Sequence, residues 1–176
     1  MTVTKIGVTI AVVLIFLYLA ASSFVVVDAG YVGVVKRLGA VQPEFLPEGF
    51  HFKAPFVDAV QKFDVRLSKA ESDAGASSKD LQIVTSKIAL NYHLNPEKVN
   101  KIWQEIGKNY NSRIIAPSIQ EAVKSVTAKF TAEELITKRE DVKEQIKTNL
   151  YERLYNSFII VDEFNIIDFN FSPAFN

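Results

Sequence analysis

One segment near the N-terminus carries no charged side chain, and it constrains the rest of this 176-residue chain more than any other feature. Residues 6–27 lie between Lys5 and Asp28 and include 18 hydrophobic side chains. A helix of this length extends about 33 Å, enough to cross a hydrocarbon core of about 30 Å. We therefore predict a transmembrane anchor over residues 1–27. Its membrane-spanning residues include Ile6, Leu14, Phe16 and Val27.

Two other interpretations of this segment stay open. Leu19–Ser22 offers small residues at the spacing of a signal-peptidase site, although the apolar run continues beyond it through Phe24–Val27. The segment also has the composition of a buried core helix. Its orientation in a membrane is not decided by charge, because Lys5 on one flank is matched by Lys36 and Arg37 on the other.

The composition of the remaining chain is that of a soluble domain. Hydrophobic residues are roughly 43% of it once the apolar segment is set aside, close to the usual average. The 20 basic and 20 acidic side chains balance, which argues against nucleic-acid binding because such proteins need a basic surface. The absence of cysteine excludes a disulfide scaffold, a cysteine zinc site and a cysteine nucleophile.

Residues 31–94 have the pattern of strands separated by turns. Tyr31–Leu38 is rich in β-forming residues, Asp58–Leu67 alternates, and Leu81–Leu94 alternates most regularly. We interpret the small and charged residues 68–80 as a loose turn before this last strand. Its apolar face carries Val84, Ile88, Leu90, Tyr92 and Leu94.

The hydrophobic period changes at Asn95 from two residues to about 3.6. Asn95 is a good N-cap, Pro96 suits the first helical position, and Gly107 ends the helix. A second helix is predicted to begin near Arg113 or Pro117.

Two capping-box patterns follow six residues apart, at Thr131…Glu134 and Thr137…Glu140. They predict one helical turn, a kink, and a long helix to about Asn156. The buried face of that helix is spaced at four residues, with Val142, Ile146, Leu150 and Leu154.

Residues 158–171 are apolar at both alternating sets of positions, which predicts a strand covered on both faces and ended by Ser172-Pro173. The order is an apolar helix, strands, helices and a closing strand. This segregation predicts an α+β fold with antiparallel strand pairing.

No motif for catalysis, a cofactor or a metal emerges. Gly30 and Gly33 lack the third glycine and the following helix of a dinucleotide fingerprint, and no nucleophile motif accompanies His51 or His93. Two carboxylate pairs fall in the first turns of predicted helices, where the helix dipole favours negative charge: Glu133/Glu134 and Glu140/Asp141. We predict no catalytic residue, no cofactor and no metal ligand.

Two surfaces have interaction as an alternative to a purely structural role. Phe45, Phe50 and Phe56 belong to a dense apolar cluster soon after the anchor, and they either fill a core or contact the membrane surface. Lys138, Arg139, Glu140 and Asp141 mix charges of both signs, which suits either a solvated face or self-association between identical neighbours.

Seven short stretches, in this order behind an apolar helix, resemble the SPFH (stomatin, prohibitin, flotillin) or band 7 family, and most closely its prohibitin branch. They are Val26-Val-Asp-Ala-Gly-Tyr-Val-Gly33, Pro47-Glu-Gly-Phe-His-Phe52 with Pro55, Phe63-Asp-Val-Arg66, Ser78-Lys-Asp-Leu-Gln82, Pro117-Ser-Ile119, Leu135-Ile-Thr-Lys-Arg-Glu140 and Phe171-Ser-Pro-Ala-Phe175.

The resemblance implies a scaffold rather than an enzyme, with an SPFH domain over residues 28–176. Similar proteins assemble laterally on the lipid bilayer as homo- or hetero-oligomers with SPFH paralogues, and often associate with a membrane AAA protease. The expected location is the bacterial plasma membrane or the mitochondrial inner membrane, on an undetermined side. The family's coiled coil is expected to be absent, since the chain stops at Asn176, either as a fragment or without the usual ring wall.

Two alternative functions come from other classes. A membrane-tethered hydrolase, or its regulatory subunit, would place His51 or His93 in a polar pocket. A secreted binding domain would result from signal cleavage near Ser22 or Ser23.

Overall fold

The computed structural model describes residues 2–171 and confirms the α+β order predicted from the sequence. Its contacts divide the chain between Asp64 and Val65 into two units. No sheet is shared between them, so each unit is described by itself. The predicted boundary between anchor and domain, after residue 27, stays a prediction. The strand-ending Ser172-Pro173 and the last family stretch beyond Phe171 lie outside the described residues.

The first unit consists of one long helix followed by two small antiparallel sheets. Strand β1 pairs with β4, and β2 is the central strand of a second sheet in the order β3-β2-β5. The elements are α1 Thr2–Ser22, β1 Phe24–Val27, β2 Tyr31–Arg37, β3 Ala40–Leu46, β4 Gly49–Phe52 and β5 Asp58–Asp64.

Helix α1 ends at Ser22, five residues earlier than the predicted anchor. The Ser23 hydroxyl donates to the Leu19 carbonyl at 2.6 Å, and the chain then extends as β1. Val27, predicted to span the membrane, instead lies opposite Gly49 of β4 and is only 2% exposed. The correction has a simple cause: a run of β-branched residues packs well in a strand, and β4 supplies the backbone partners.

The core of the first unit closes around Gly33. A Cβ atom there would lie 3.0 Å from Val60 Cγ1, 3.1 Å from Val27 Cγ2 and 3.2 Å from Leu46 Cβ. Side chains from three neighbouring strands therefore crowd Gly33, and a larger residue there would force them to shift by a few tenths of an ångström. This close packing explains why residue 33 is a glycine. The sequence alone showed only that Gly33 does not belong to a dinucleotide-binding motif.

The second unit is a three-stranded antiparallel sheet, ordered β6-β7-β8, with helices packed on one face. The predicted apolar face of β7 is confirmed as buried. The strands are β6 Ser68–Ser77, β7 Ile83–Leu94 and β8 Ile159–Phe171. A 3₁₀ turn at Pro96–Lys98 precedes α2 Val99–Glu105, and a π turn at Asn111–Ile115 precedes α3 Ala116–Thr127, α4 Ala132–Thr137 and α5 Arg139–Tyr155.

Residues 68–77 form an edge strand rather than the predicted loose turn. Strand β6 pairs with β7 in unbroken register from Ser68 opposite Tyr92 to Ser77 opposite Ile83. Its inward side chains are small: Ala70 and Ala74 are buried where α3 packs on the strand. The hydropathy pattern of β6 does not reveal this strand, because small residues alternate with charged ones. A typical strand pattern alternates large apolar residues with polar ones.

Strand β8 presents one apolar face, not two. Two bulges against β7, at Asp162 and Ile167, each shift the alternation by one residue. They place Ile159, Val161 and Phe164 on the same buried face. The other face is polar and exposed, with Glu163, Asn165 and Asp168, so the predicted covering of both faces is wrong.

Only the first of the two predicted capping boxes forms. Thr131 Oγ1 accepts from Glu134 N at 3.2 Å, and the Glu134 side chain accepts from Thr131 N at 3.1 Å. Thr137 is instead the last residue of α4, and its hydroxyl donates to the Glu133 carbonyl within that helix. The predicted buried face of α5 is confirmed: Val142, Ile146, Leu150 and Leu154.

Candidate functional site

Helix α1 is apolar on all sides and unburied. Over Lys5–Ser22 its mean hydropathy is 2.1, and none of these residues is buried within the described chain. Ile6, Leu14 and Phe16 are each more than half exposed. A core helix of a soluble protein would be mostly buried, so that interpretation is not supported. A membrane span and a signal sequence both fit by length and composition.

An exposed ribbon of aromatic side chains begins two residues after α1 ends. We call Phe24, Val26, Phe50 and Phe52 the aromatic face, because the β1–β4 register pairs Phe24 with Phe52 and Val26 with Phe50. The Phe24 and Phe50 rings stack at 5.5 Å, and the Phe50 and Phe52 rings meet edge to face at 5.1 Å. All four side chains are exposed. Contiguous apolar surface of this kind marks an interaction site.

Two loop tips next to this ribbon carry apolar side chains in a strained backbone conformation. Leu38 has φ 47° and is 82% exposed, and Phe56 has φ 66° and is 78% exposed. The left-handed conformation costs a non-glycine residue about 1–3 kcal/mol, and neither side chain recovers that cost by burial. The Leu38 amide donates to the Val57 carbonyl at 3.0 Å, which joins the two tips. We call Leu38 and Phe56 the apolar tips.

A ring contact sets the level of the tips along α1. The Phe56 ring lies 6.3 Å from the ring of Tyr18. Tyr18 precedes the helix end at Ser22 by four residues, or about 6 Å along the axis. Phe56 therefore lies beside the last turn of α1 rather than beyond it.

The predicted surface residues separate into two groups. Phe50 and Phe56 are exposed near the end of α1, whereas Phe45 is half-buried on β3 opposite Val34. The structure adds two exposed phenylalanines to this group, Phe24 and Phe52. From the sequence, Phe24 belongs to the predicted anchor and Phe52 to the apolar cluster. Their contact with a membrane stays a prediction.

A bidentate ion pair between half-exposed Arg37 and buried Asp58 joins the two tips. Arg37 Nε and Nη2 donate to the two carboxylate oxygens of Asp58 at 2.7 and 3.0 Å, and Ala54 N donates to the same carboxylate. The Asp58 side chain is 4% exposed. The Arg37 hydrogen bond, and then the Ala54 amide, lower the pKa of Asp58 to about 2. Since Arg37 precedes Leu38 and Asp58 follows the Phe56 loop, the pair clamps both tips.

We expect acid to loosen the tips. The Asp58 pKa is lower in the folded chain than its ordinary value of 3.8, so its stabilisation is complete above pH 3.8 and is lost as pH falls towards about 2. Hydrogen exchange of the Leu38 amide, corrected for intrinsic rates, should show protection falling across this window. Asp58→Asn should be less protected above pH 3.8 and lack the step. An equal step in both proteins would contradict the assignment.

The residues predicted for self-association lie at the junction of α4 and α5. Lys138, Arg139, Glu140 and Asp141 are all exposed. Lys138 Nζ contacts Glu134 Oε1 at 2.9 Å, and this contact raises the Lys138 pKa and lowers that of Glu134.

The β6–β7 turn is tied to the start of α4. Ser78 Oγ donates to Asp80 Oδ1 at 2.6 Å, and the same Asp80 oxygen accepts from Ala132 N at 3.0 Å. The family stretch at residues 78–82 is thus explained by local structure. The elements joined here also carry two exposed apolar side chains, Leu81 in the turn and Ile136 on α4, which we call the junction patch. Leu81 is 83% exposed at φ 64°, so it repeats the strained geometry of the apolar tips.

The two histidines make local hydrogen bonds. His51 Nε2 donates to the Pro47 carbonyl at 2.7 Å, and His93 Nδ1 lies 2.7 Å from Asp162 Oδ2 across the β7–β8 ladder. Within residues 2–171, no group of three or more metal-ligating side chains could hold an ion.

An α+β domain that follows an unburied apolar helix defines a class of membrane-associated domain proteins. Comparison with known families identifies the particular one: residues 25–176 match the family model described as SPFH domain / Band 7 family. The chain belongs to this family.

Several prohibitins are similar to the chain. It is 31% identical to Prohibitin-2 of Schizosaccharomyces pombe over 85% of this chain and 52% of that protein. It is 31% identical to Prohibitin-7, mitochondrial, of Arabidopsis thaliana (90% and 58%) and to Prohibitin-2 of Mus musculus (90% and 54%). The chain thus spans a little over half the length of these curated relatives.

Proposed function

We propose that this protein is a membrane-anchored, prohibitin-like scaffold that self-associates laterally and organises a patch of bilayer with its associated membrane proteins. The observation that carries the proposal is the continuity of apolar surface in the first unit. Unburied α1 leads directly into the aromatic face, and the apolar tips lie beside its last turn. Together these three features gather exposed apolar side chains around the end of α1, which suits contact with lipid.

The position of Phe56 along α1 relates the sheets of the first unit to the bilayer surface. If α1 spans the membrane, its last turn lies near the headgroups, where aromatic rings are favoured. Phe56, in contact with Tyr18, then lies at the same depth. The aromatic face, two residues beyond Ser22, borders the same layer. The strain at both apolar tips is consistent with side chains held outward for contact.

A tryptophan at Phe56 should therefore report lipid contact. In a Trp103→Phe background, which removes the single native tryptophan, we expect Phe56→Trp fluorescence to be quenched by lipids brominated just below the headgroup. Phe45→Trp is the matched control, since Phe45 is half-buried on β3 and should be quenched much less. Equal quenching at both positions, or none at Phe56, would remove the membrane-contact hypothesis without bearing on the anchor.

The junction patch and the charged residues beside it form the self-association surface in this proposal. Apolar side chains rimmed by charges of both signs suit contact between copies, because apolar area supplies affinity and complementary charges set the register. Lys138, Arg139, Glu140 and Asp141 supply that rim. The chain's net charge of zero gives little long-range repulsion between neighbours.

Particle mass in mild detergent tests the proposed function. Light scattering of the full chain, corrected for bound detergent, should give several copies per particle. Leu81→Asp with Ile136→Asp should reduce the mass towards that of one copy, because an interface cannot bury unpaired charges. Tyr155→Asp, at an exposed site at the end of α5, should leave the mass unchanged. A monomer for the unmodified chain would refute the scaffold.

Partners and location follow from the same proposal. SPFH paralogues would share the junction patch, and a membrane AAA protease is a proposed partner. Relatives whose names include "mitochondrial" support a mitochondrial location, for which we propose the inner membrane, and the bacterial plasma membrane is the alternative. Cross-linking in intact membranes, followed by identification of the linked chains, would reveal these partners directly.

A further inference from the structure

We propose that a groove in the first unit binds the phosphate of an anionic phospholipid through Lys36 and Lys53. The groove is open, has a volume of about 650 Å³, and is lined by both lysines, Val25 and the two apolar tips. The inference rests on the proposed membrane contact and adds the class of lipid that this contact selects.

The charge in the groove is positive once its ion pairs are counted. Asp58 also lines it, but its carboxylate is occupied by Arg37 and by the Ala54 amide. Among the described residues, no ion pair within 4.0 Å involves Lys36 or Lys53. Two ammonium groups without an ion pair of their own therefore share the groove with one carboxylate that Arg37 already binds, and the charge of Lys53 also helps to lower the pKa of that carboxylate.

Both lysines are half-buried where they line the groove, so a phosphate bound there would lie beside two positive side chains. Lys53 is also placed at the membrane level, because its backbone amide donates to the Ser23 carbonyl, one residue after α1 ends, at 2.8 Å.

The rim of the groove favours a lipid over a free anion. Leu38 and Phe56 project from the rim with about four-fifths of their surface exposed, so an acyl chain beside the headgroup would cover apolar area that water now contacts. Free phosphate would satisfy only the lysines. The groove, beside the end of an apolar helix, therefore offers positive charge to an anionic headgroup and apolar side chains to an acyl chain.

Native mass spectrometry of the full chain from mild detergent tests the proposal. The chain is equilibrated with phosphatidylglycerol or phosphatidylcholine, and the lipid retained on the protein is counted. We expect preferential retention of phosphatidylglycerol, which Lys36→Gln with Lys53→Gln reduces by roughly fivefold for each lysine, since a lysine near an anionic surface contributes about 1 kcal/mol. Lys108→Gln with Lys124→Gln makes the same change in charge on exposed residues of the second unit and should retain as much lipid as the unmodified chain.

Three results would overturn the inference. They are equal retention of phosphatidylglycerol by the groove variant and the control variant, no preference over phosphatidylcholine in the unmodified chain, and displacement of the lipid by inorganic phosphate alone. The last would identify a phosphate site rather than a lipid site. Unchanged protection of the Leu38 amide from hydrogen exchange excludes misfolding of the groove variant.

Alkaline extraction of the same membranes separates this inference from the proposed function. If alkaline treatment extracts the unmodified chain, α1 is not a membrane anchor. The lipid-binding proposal, which rests on membrane contact, then fails with the proposed function. If the chain resists extraction but does not retain the anionic lipid, the headgroup site alone fails.

Discussion

Lysine at both Leu14 and Phe16 is expected to abolish membrane integration of the full chain. Both residues lie in the central part of α1 and are exposed. A lysine near the centre of a spanning helix costs about 2.5–3.5 kcal/mol, so the pair costs roughly 6 kcal/mol. The two positions are about 200° apart around the helix, so neither rotation nor tilt can move both charges out of the hydrocarbon.

Alkaline carbonate extraction of membranes checks this result. The unmodified chain should stay in the pellet and the double variant should appear in the supernatant. Ser22→Lys is the matched control, because a lysine at the end of α1 reaches the headgroups and should leave the chain in the pellet. A double variant that resists extraction would show that α1 is not the anchor. A mature N-terminus near Ser22 or Ser23, found by mass spectrometry, would instead identify a cleaved signal peptide.

Leu150→Ala is expected to destabilise the second unit by about 2–5 kcal/mol, because it leaves a cavity that the neighbouring side chains cannot fill. Leu150 is fully buried on α5, which packs against α3 and β8. Trp103 lies on α2 in the same unit and is the only tryptophan in the chain, so its fluorescence during urea unfolding reports this transition. The midpoint should fall while the slope stays the same.

Tyr155→Ala is the control for this effect. Tyr155 ends the same helix and loses more atoms on truncation, yet its side chain is 72% exposed. Its free energy of unfolding should change by no more than about 0.5 kcal/mol. Similar losses for the two variants would mean that helix propensity, rather than burial of the α5 face, determines the stability of this unit.

Patterns within one element were predictable from the sequence. Four residues at spacings of four specified the buried face of α5, and alternation specified that of β7. Asn95 accepts from Glu97 N at the start of the 3₁₀ turn, and Thr131 caps α4 as its pattern predicts. Each signal depends on neighbours in the chain, which is the range over which periodicity and capping act.

Features that depend on partner strands were missed. The two bulges of β8 can be placed only against β7, and each one exchanges inward for outward positions. Strand β6 has small inward residues because α3 packs on it, so its hydropathy pattern is weak. The second capping box failed because α4 continues through Thr137, whose hydroxyl then bonds within that helix.

The candidate site was partly predictable for the same reason. Closeness in the chain predicted one cluster of Phe45, Phe50 and Phe56. In the structure Phe50 and Phe56 are exposed, whereas Phe45 is half-buried. The aromatic face exists because β1 pairs with β4, which brings Phe24 beside Phe50 across 26 positions. The groove combines Lys36 of β2 with Lys53, which is 17 positions later, and with residues of β5 that pair with β2.

The sequence by itself determined that a long, uncharged helix precedes an α+β domain with the stretches of the SPFH family. Hydropathy, capping and periodicity suffice for the helix and the α+β order because they are summed over residues adjacent in the chain, whereas the family rests on the resemblance of the short stretches. Only the tertiary structure decided that the helix ends at Ser22, that Val27 belongs to a core closed around Gly33, and which phenylalanines and lysines share a surface. Strand pairing over long separations sets those positions, and a shift of one residue would turn the same side chains to the opposite face.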